Sequence, residues 1–428
     1  MKIAYKNAKI LDGSERMTPQ TGKIVLTEGE HITAIVEDSA DLTGYEVVDL
    51  QGQYLMPGLV NMHVHIPSSG KPSRKEKDVK KTIRLVTANR LTRKIIEYLY
   101  KSFGRTELFS GVTTLRTMGG VENYDGWLRD QIYAGKADGP RILASNMAVS
   151  VPGGHMAGSL AYEAHNAEEA AGFVRKIAQD THQPDVIKLM ITGGVLDATE
   201  KGEPGVLRMQ PDLVKAACDA AHQLGLKVAA HVESPEGVRV ALENGVDTIE
   251  HGALPDEEIL ELFRKTGAVH VATLSPALPF ALFDRSVSYC SEMAQYNGKI
   301  VFDGIVACAK ACLEAGIPVG LGTDTGCPFI THYDMWRELY WFHKYCGVSN
   351  TFALYTGTKR NAELLGLGDV TGSIAPGKCA DFIVTKQNPL DDLQALRNLE
   401  MVVARGKRYP APKVKKMPQV ERELDRFL

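Results

Sequence analysis

Two histidines one residue apart, His63 and His65, close the apolar stretch "LMPGLVNMHVHI". In a strand that spacing puts both imidazoles on one face, where they could be two ligands of a metal ion. Other short apolar runs carry further groups of the same kind: Lys188 in "DVIKLMITGG", His231 in "KVAAHVES", His251 in "DTIEHGA" and Asp324 in "PVGLGTDTG". Neutral imidazole and carboxylate suit Zn²⁺ and similar ions. A metal held this way lowers the pKa of water and polarises a carbonyl. Asp324 has the chemistry to ligate the metal and to pass the proton of that water to a departing nitrogen. Lys188 stands among Val186, Ile187, Leu189, Met190 and Ile191, a run that implies burial on both faces of a strand. A buried ammonium is costly unless it is neutral, paired or modified, and desolvation lowers its pKa. The freed amine can combine with carbon dioxide to give a carbamate, whose two oxygens could bridge two metals.

For these residues to meet, the chain must bring the ends of several strands together. From Pro57 onward, short apolar runs alternate with segments of helical period, the pattern of βα units and a parallel sheet. The candidate strands are "GLVNMHVHI", "VTTLRTMG", "PRILASN", "DVIKLMITGG", "KVAAHVES", "DTIEHGA", "AVHVATLS" and "PVGLGTDTG". Helices such as "EEAAGFVRKIAQ" and "PDLVKAACDAAHQLG" fit between them, the second with Pro near its start and Gly at its end. That strand count predicts an α/β fold, a (β/α)8 TIM barrel over residues 56–368. A doubly wound sheet is the alternative, but no Gly-rich dinucleotide fingerprint supports it. In a barrel, catalytic groups sit at the C-terminal ends of the strands, where the polar residues above are found. Both chain ends read as short strands, including "GKIVLTEGEHITAIVE", "YEVVDLQGQYL" and "EMVVARGKRY". Residues 1–55 and 369–410 are therefore expected to pair into one small β-sandwich, with 411–428 a tail ending in a short helix.

The composition, 44% hydrophobic and 24% charged with a net charge of −3, fits a globular protein with a substantial core. It supplies no field that would draw nucleic acid or a membrane surface. The opening "MKIAYKNAKILDGSERM" does not read as a signal peptide, and no apolar run is long enough to span a bilayer. The seven cysteines are scattered and include no C-x-x-C pair; Cys308 and Cys312 share a helix face, which suggests packing. Reduced thiols in the cytoplasm are the simplest reading.

The order H-x-H, Lys, His, His, Asp over these strands resembles the amidohydrolase superfamily, as do the phrases "LMPGLVNMHVH", "DTIEHG" and "GSIAPGKCADFIV". The resemblance covers nearly the whole chain. It looks like the branch with two metals bridged by a carboxylated lysine, which includes prolidase-like dipeptidases and carboxypeptidases. It implies that His63, His65 and Asp324 hold one divalent ion, most simply zinc. His231 and His251 would hold a second, and carboxylated Lys188 would bridge the two. The segment "VPGGHMAG" is similar to the Gly-Gly-His loop of that family, which makes His155 a candidate for contact with substrate. The implied reaction is cleavage of an amide C–N bond by a hydroxide bridging the metals. The implied substrate is small and carries a carboxylate, such as a dipeptide or N-acyl amino acid.

Other residues are open to more than one reading. Glu233 lies two residues after His231 and on its face, where it either reaches the pocket or makes an ion pair. The commonest peptidase pattern has small residues or tyrosine at this place. Residues 71–94 carry ten Lys/Arg against two acidic residues. They are either a solvated face or a basic lid over the mouth that favours anionic substrates. Arg116, Arg208 and Tyr289 are candidates to contact a carboxylate. His222 reads as structural, His270 is unassigned, and His332 and His343 could line the mouth. The rival function within the superfamily is a deaminase or a cyclic amide or amidine hydrolase. Such sites typically lack the bridging lysine and use a His-x-x-Glu acid, whereas this chain has His-x-Glu and Lys188. A third reading, a non-catalytic scaffold, fits poorly with a complete ligand set. A homo-oligomer is left open, since the superfamily often forms one.

Overall fold

Each of the eight apolar runs becomes a strand in the computed structural model, which describes residues 1–74 and 78–428. In chain order they are β1 (Leu59–Val64), β2 (Val112–Thr117), β3 (Arg141–Leu143), β4 (Val186–Met190), β5 (Lys227–Val232), β6 (Thr248–His251), β7 (Val269–Ala272) and β8 (Val319–Leu321). Ladders join β1 to β2 and β3 in parallel, and β4 through β8 in parallel. Two seams close the ring. At one, Asp185 N donates to Ala144 O at 2.7 Å, which links β3 to β4. At the other, Asp324 N donates to His63 O at 2.8 Å and His65 N to Thr325 O at 2.9 Å, which links β8 to β1. Every residue of β1, β2 and β4 is buried, because parallel strands in a barrel are covered on both faces. This is why β4 reads as a near-continuous apolar run with no alternation.

The outer helices start and stop where their capping chemistry dictates. Asn166 and Asp256 cap Ala167–Ala178 and Glu257–Thr266 by accepting from backbone N–H groups, and Gly267 ends the latter at φ 70°. Two helices that follow β1, α1 (Val79–Thr87) and α2 (Arg90–Phe109), form a hairpin beside the mouth. Residues 75–77 of the basic segment lie outside the described residues. Two short strands between β3 and β4, Ala148–Ser150 and Ala161–Glu163, were not foreseen in the sequence. They add to the edge of β4 and carry the loop that holds His155.

The chain termini build two further sheets. One has the order His31–Glu37, Lys23–Glu28, Lys2–Lys6, Glu46–Asp49. The other has Lys407–Pro410, Leu399–Ala404, Phe382–Thr385, Tyr54–Pro57, Lys9–Ile10. Ile3, Tyr5, Val25, Leu55, Phe382 and Val403 share the core between them, with the Tyr5 and Phe382 rings 4.9 Å apart. The expected single strand "YEVVDLQGQYL" is in fact two. Gln51 and Gly52 at φ 51° and 79° turn the chain so that its halves join different sheets. The second half runs to Pro57, past the boundary at 55 read from the sequence. Among the described residues no helix is long and apolar enough to cross a membrane.

Candidate metal centre

The C-terminal ends of β1, β4, β5, β6 and β8 surround a chamber of about 400 Å³ that is lined by His63, His65, Lys188, His231, His251 and Asp324. The strand period of two sets His63 and His65 on the same face, as their spacing implied. His63 Nδ1 donates to Glu250 Oε2 at 2.7 Å, and His65 Nδ1 donates to Gly119 O at 2.8 Å. With both Nδ1 atoms protonated, each Nε2 carries a lone pair. These two atoms lie 3.4 and 3.2 Å from the same oxygen, Oδ1 of Asp324. His63 Nε2 is buried with no hydrogen-bond partner among the described residues. Burial, reinforced by the charge of Lys188, holds the His63 imidazole down to about 4, so it is neutral. Lone pairs facing a carboxylate oxygen repel one another unless a cation sits between them. His63, His65 and Asp324 therefore fit a divalent metal.

A second group adjoins the first. Donor atoms of His231, His251 and Glu233 lie within 4.8 Å of one another. His231 Nε2 donates to Gly193 O at 3.2 Å, which leaves Nδ1 free to ligate, and His251 Nδ1 meets Thr273 Oγ1 at 2.7 Å, which leaves Nε2. The rings of His63 and His251 are 5.0 Å apart, and those of His231 and His251 are 4.7 Å apart. Burial, with the neighbouring positive charges, holds both His231 and His251 well below the usual imidazole range. Burial alone would push Asp324 up, but His63, His65 and His251 outweigh it and keep the carboxyl well below its usual range.

Lys188 is 1% exposed, and burial lowers its amine to about 8 against the opposing pull of Glu250 and Asp324. Its charge acts on His63, His231 and His251 alike, and it lines the same chamber as both groups. That burial is what the apolar run around it implied, and it favours the neutral amine over the ammonium.

Several residues that the sequence did not single out hold this arrangement in place. Glu250, buried on β6, accepts from His63 with one oxygen and from Arg116 Nη2, at 2.7 Å, with the other. Arginine and imidazole together keep Glu250 ionised despite its burial. This is the carboxylate–histidine pairing that fixes the tautomer of a metal ligand. Alternation along β6 would point Glu250 and His251 to opposite faces. His251 adopts φ 70°, which turns its side chain inward as well. His270 Nε2 donates to His251 O at 2.8 Å and secures that strained backbone, while Cys308 and Cys312 pack beside it.

The candidates for substrate contact divide. His155 stands over the centre, its ring stacked on that of His231 at 4.2 Å and its Nδ1 held by Asp197 Oδ2 at 2.5 Å. Glu233 lines the chamber; burial, then the charges of Asp324 and Asp197, push its carboxyl well above the usual range. Arg116 is not among the residues that line the chamber. It is 3% exposed in the barrel interior, its guanidinium bonded to Met62 O, Thr248 Oγ1 and Glu250. Tyr289 lies outside the chamber, under the guanidinium of Arg74 at 5.0 Å. Arg208 stands beside Asp197, which lines the chamber, and its buried Nε has no hydrogen-bond partner among the described residues. Among its described residues the basic segment does not form a charged lid. Lys80, Arg93 and Lys94 pair with Glu163, Glu122 and Glu97, and of α1 only Val79 reaches the chamber among the described residues. His332 ties Ser68 O to Glu107, and His343 donates to Val348 O; both are structural, as is His222 against Asp247.

Comparison with known proteins agrees with this geometry. The model of the amidohydrolase family matches residues 54–409. A candidate prolidase from Bifidobacterium longum superposes with a TM-score of 0.87 at 35% identity, covering 99% of this chain and 98% of that one. A Xaa-Pro dipeptidase solved with methionine in its active site gives a TM-score of 0.83 at 28% identity, covering 96% and 100%. Ochratoxinase of Aspergillus niger is 25% identical over 406 residues, 88% of this chain and 80% of that one.

Proposed function

The chain belongs to the amidohydrolase family, hydrolases of C–N bonds, and from that premise we propose that it cleaves the amide bond of a small carboxylate-bearing substrate such as a dipeptide or N-acyl amino acid. The observation that carries this reading is Lys188, buried in the lining of the chamber that His63, His65, Asp324, His231 and His251 also line. That arrangement suits two divalent ions, zinc in our reading, with Lys188 as a carbamate between them. Such ions supply Lewis acidity and lower the pKa of water toward neutrality.

The residues of the chain do the rest. Asp324 is ionised and within reach of both imidazoles of β1, so it can take a proton from the attacking water and carry it to the leaving nitrogen. Glu250 and Arg116 keep the Nε2 lone pair of His63 directed at the centre. His155, oriented by Asp197, is our candidate to contact the substrate near the scissile carbonyl. Arg208, with its unpaired Nε, is our candidate for the substrate carboxylate. The prolidase-like and ochratoxinase relatives act in keeping with an amide substrate. The seven cysteines are all free, which suits a reducing compartment, and we assign the protein to the cytoplasm.

The test is a library of dipeptides and N-acyl amino acids offered to protein reconstituted with zinc or manganese in the presence of bicarbonate. Turnover that disappears on chelation supports the reading. No turnover across the library, or release of ammonia from a purine or cyclic amidine instead, overturns it.

A further inference from the structure

Of the acids among the described residues that line the chamber, Glu233 is the one with a buried oxygen that has no hydrogen-bond partner. It follows β5, and its backbone is fixed by donation from its N–H to Thr192 Oγ1 at 3.1 Å. One side-chain oxygen accepts from the backbone N–H of Val195. The other, Oε2, is buried and has no partner among the described residues. The two other acids that line the chamber have no such buried oxygen. Asp197 accepts from His155 at 2.5 Å and from Gly194 N at 2.9 Å, and Asp324 faces His63 and His65. Among the described residues, the only Lys or Arg in the lining is Lys188. The apolar part of the lining, with Met156, Leu196, Pro276 and Phe280, offers Glu233 no donor.

A buried carboxyl oxygen without a partner is unfavourable, and a cation placed beside it both supplies the donor and favours the ionised form. We propose that Glu233 binds a protonated amine of the substrate, so that the enzyme prefers an amide bearing a free ammonium over the same amide acylated at that nitrogen. This rests on the amide-hydrolase reading and narrows it, from dipeptides or N-acyl amino acids alike to substrates of the first kind. Glu233 is then a specificity residue that reads charge at one end of the substrate, while the apolar wall accepts its side chain.

The experiment compares metal-replete wild type with Glu233→Gln on a dipeptide and its N-acetyl derivative, alongside metal content. A parallel calorimetric titration uses the corresponding free and N-acetylated amino acid, so that binding is read without turnover. The expected result is a preference for the free amine in wild type, about ten- to a hundredfold in kcat/KM. In Glu233→Gln that ratio should collapse toward one while two metals per chain remain. An equal or reversed preference in wild type overturns the proposal, as does a ratio that Glu233→Gln leaves unchanged. A drop to one metal in Glu233→Gln also overturns it, since the carboxylate would then be a ligand beside His231 and His251. If neither dipeptide nor acetylated form is cleaved, the amide-hydrolase reading fails, and the titration alone decides whether Glu233 selects an ammonium.

Discussion

Glu250 Oε2 lies 2.7 Å from His63 Nδ1, and Oε1 of the same carboxylate lies 2.7 Å from Arg116 Nη2. A buried arginine, a carboxylate and an imidazole thus form one chain that ends on the ligating face of His63. The link makes His63 a donor at Nδ1 and an acceptor at Nε2, which is the tautomer a metal requires.

Replacing Glu250 should therefore weaken the metal centre without touching a ligand. In Glu250→Gln the amide can offer its NH₂ to His63 Nδ1, which favours the wrong tautomer. Metal affinity is expected to fall about 10–100-fold, measured by competition with a chelator. Glu250→Ala also strands the Arg116 charge in the interior and should cost about 3–5 kcal/mol of stability, read from denaturant unfolding. A variant with unaltered affinity and stability would show that the chain is incidental.

Asp324→Asn keeps the shape of the side chain but removes its capacity to accept and return a proton. The expected loss in kcat is about 10²–10⁴-fold with a smaller change in KM. A change confined to KM would assign Asp324 to binding alone.

Arg116 and Arg208 should separate by phenotype. Arg208→Met is expected to lower kcat/KM for substrates with a free carboxylate by about 10–100-fold and to leave metal content intact. Arg116→Met leaves the Glu250 carboxylate buried without its cation and should reduce metal content and stability together. If the two variants behaved alike, Arg208 would have no separate part in reading the substrate.

Glu338 gives a pH test away from the chemistry. It accepts from Leu274 N at 2.7 Å and Ser275 N at 2.9 Å, and from Ser275 Oγ, at the start of the helix after β7. Burial nevertheless raises its carboxyl to about 8, from an ordinary 4.5. Between those values the folded chain keeps a proton that the unfolded chain releases, so this residue makes stability fall as pH rises, by up to about 1.4 kcal/mol per unit. Glu338→Gln should flatten that slope, as measured by unfolding at about pH 5.5 and about pH 7.5. An identical slope in both proteins would mean that Glu338 is ionised throughout.

What the sequence disclosed follows from what a strand records. Short apolar runs with a polar residue near the end marked β1, β4, β5, β6 and β8, and the residues His63, His65, Lys188, His231, His251 and Asp324 came with them. Depth within the barrel is not written in that pattern. Arg116, read as a candidate to contact a carboxylate, is instead buried in the barrel interior, where it bonds to Met62 O and Glu250. Glu250 was passed over because strict alternation gives the inward face to either it or His251; only the left-handed backbone at His251 allows both. An acid inside an otherwise apolar run was the signal that could have found it. Tyr289 shows the limit for loops, where nothing in the spacing says which side of the mouth a residue takes.

The most direct measurement is an anomalous-difference map of the metal-replete protein at the zinc edge. Two peaks about 3.5–4 Å apart, one beside His63, His65 and Asp324 and the other beside His231 and His251, with a carboxylated Lys188 between them, are what this account predicts. A single peak, or Lys188 as a free amine between two, would contradict it.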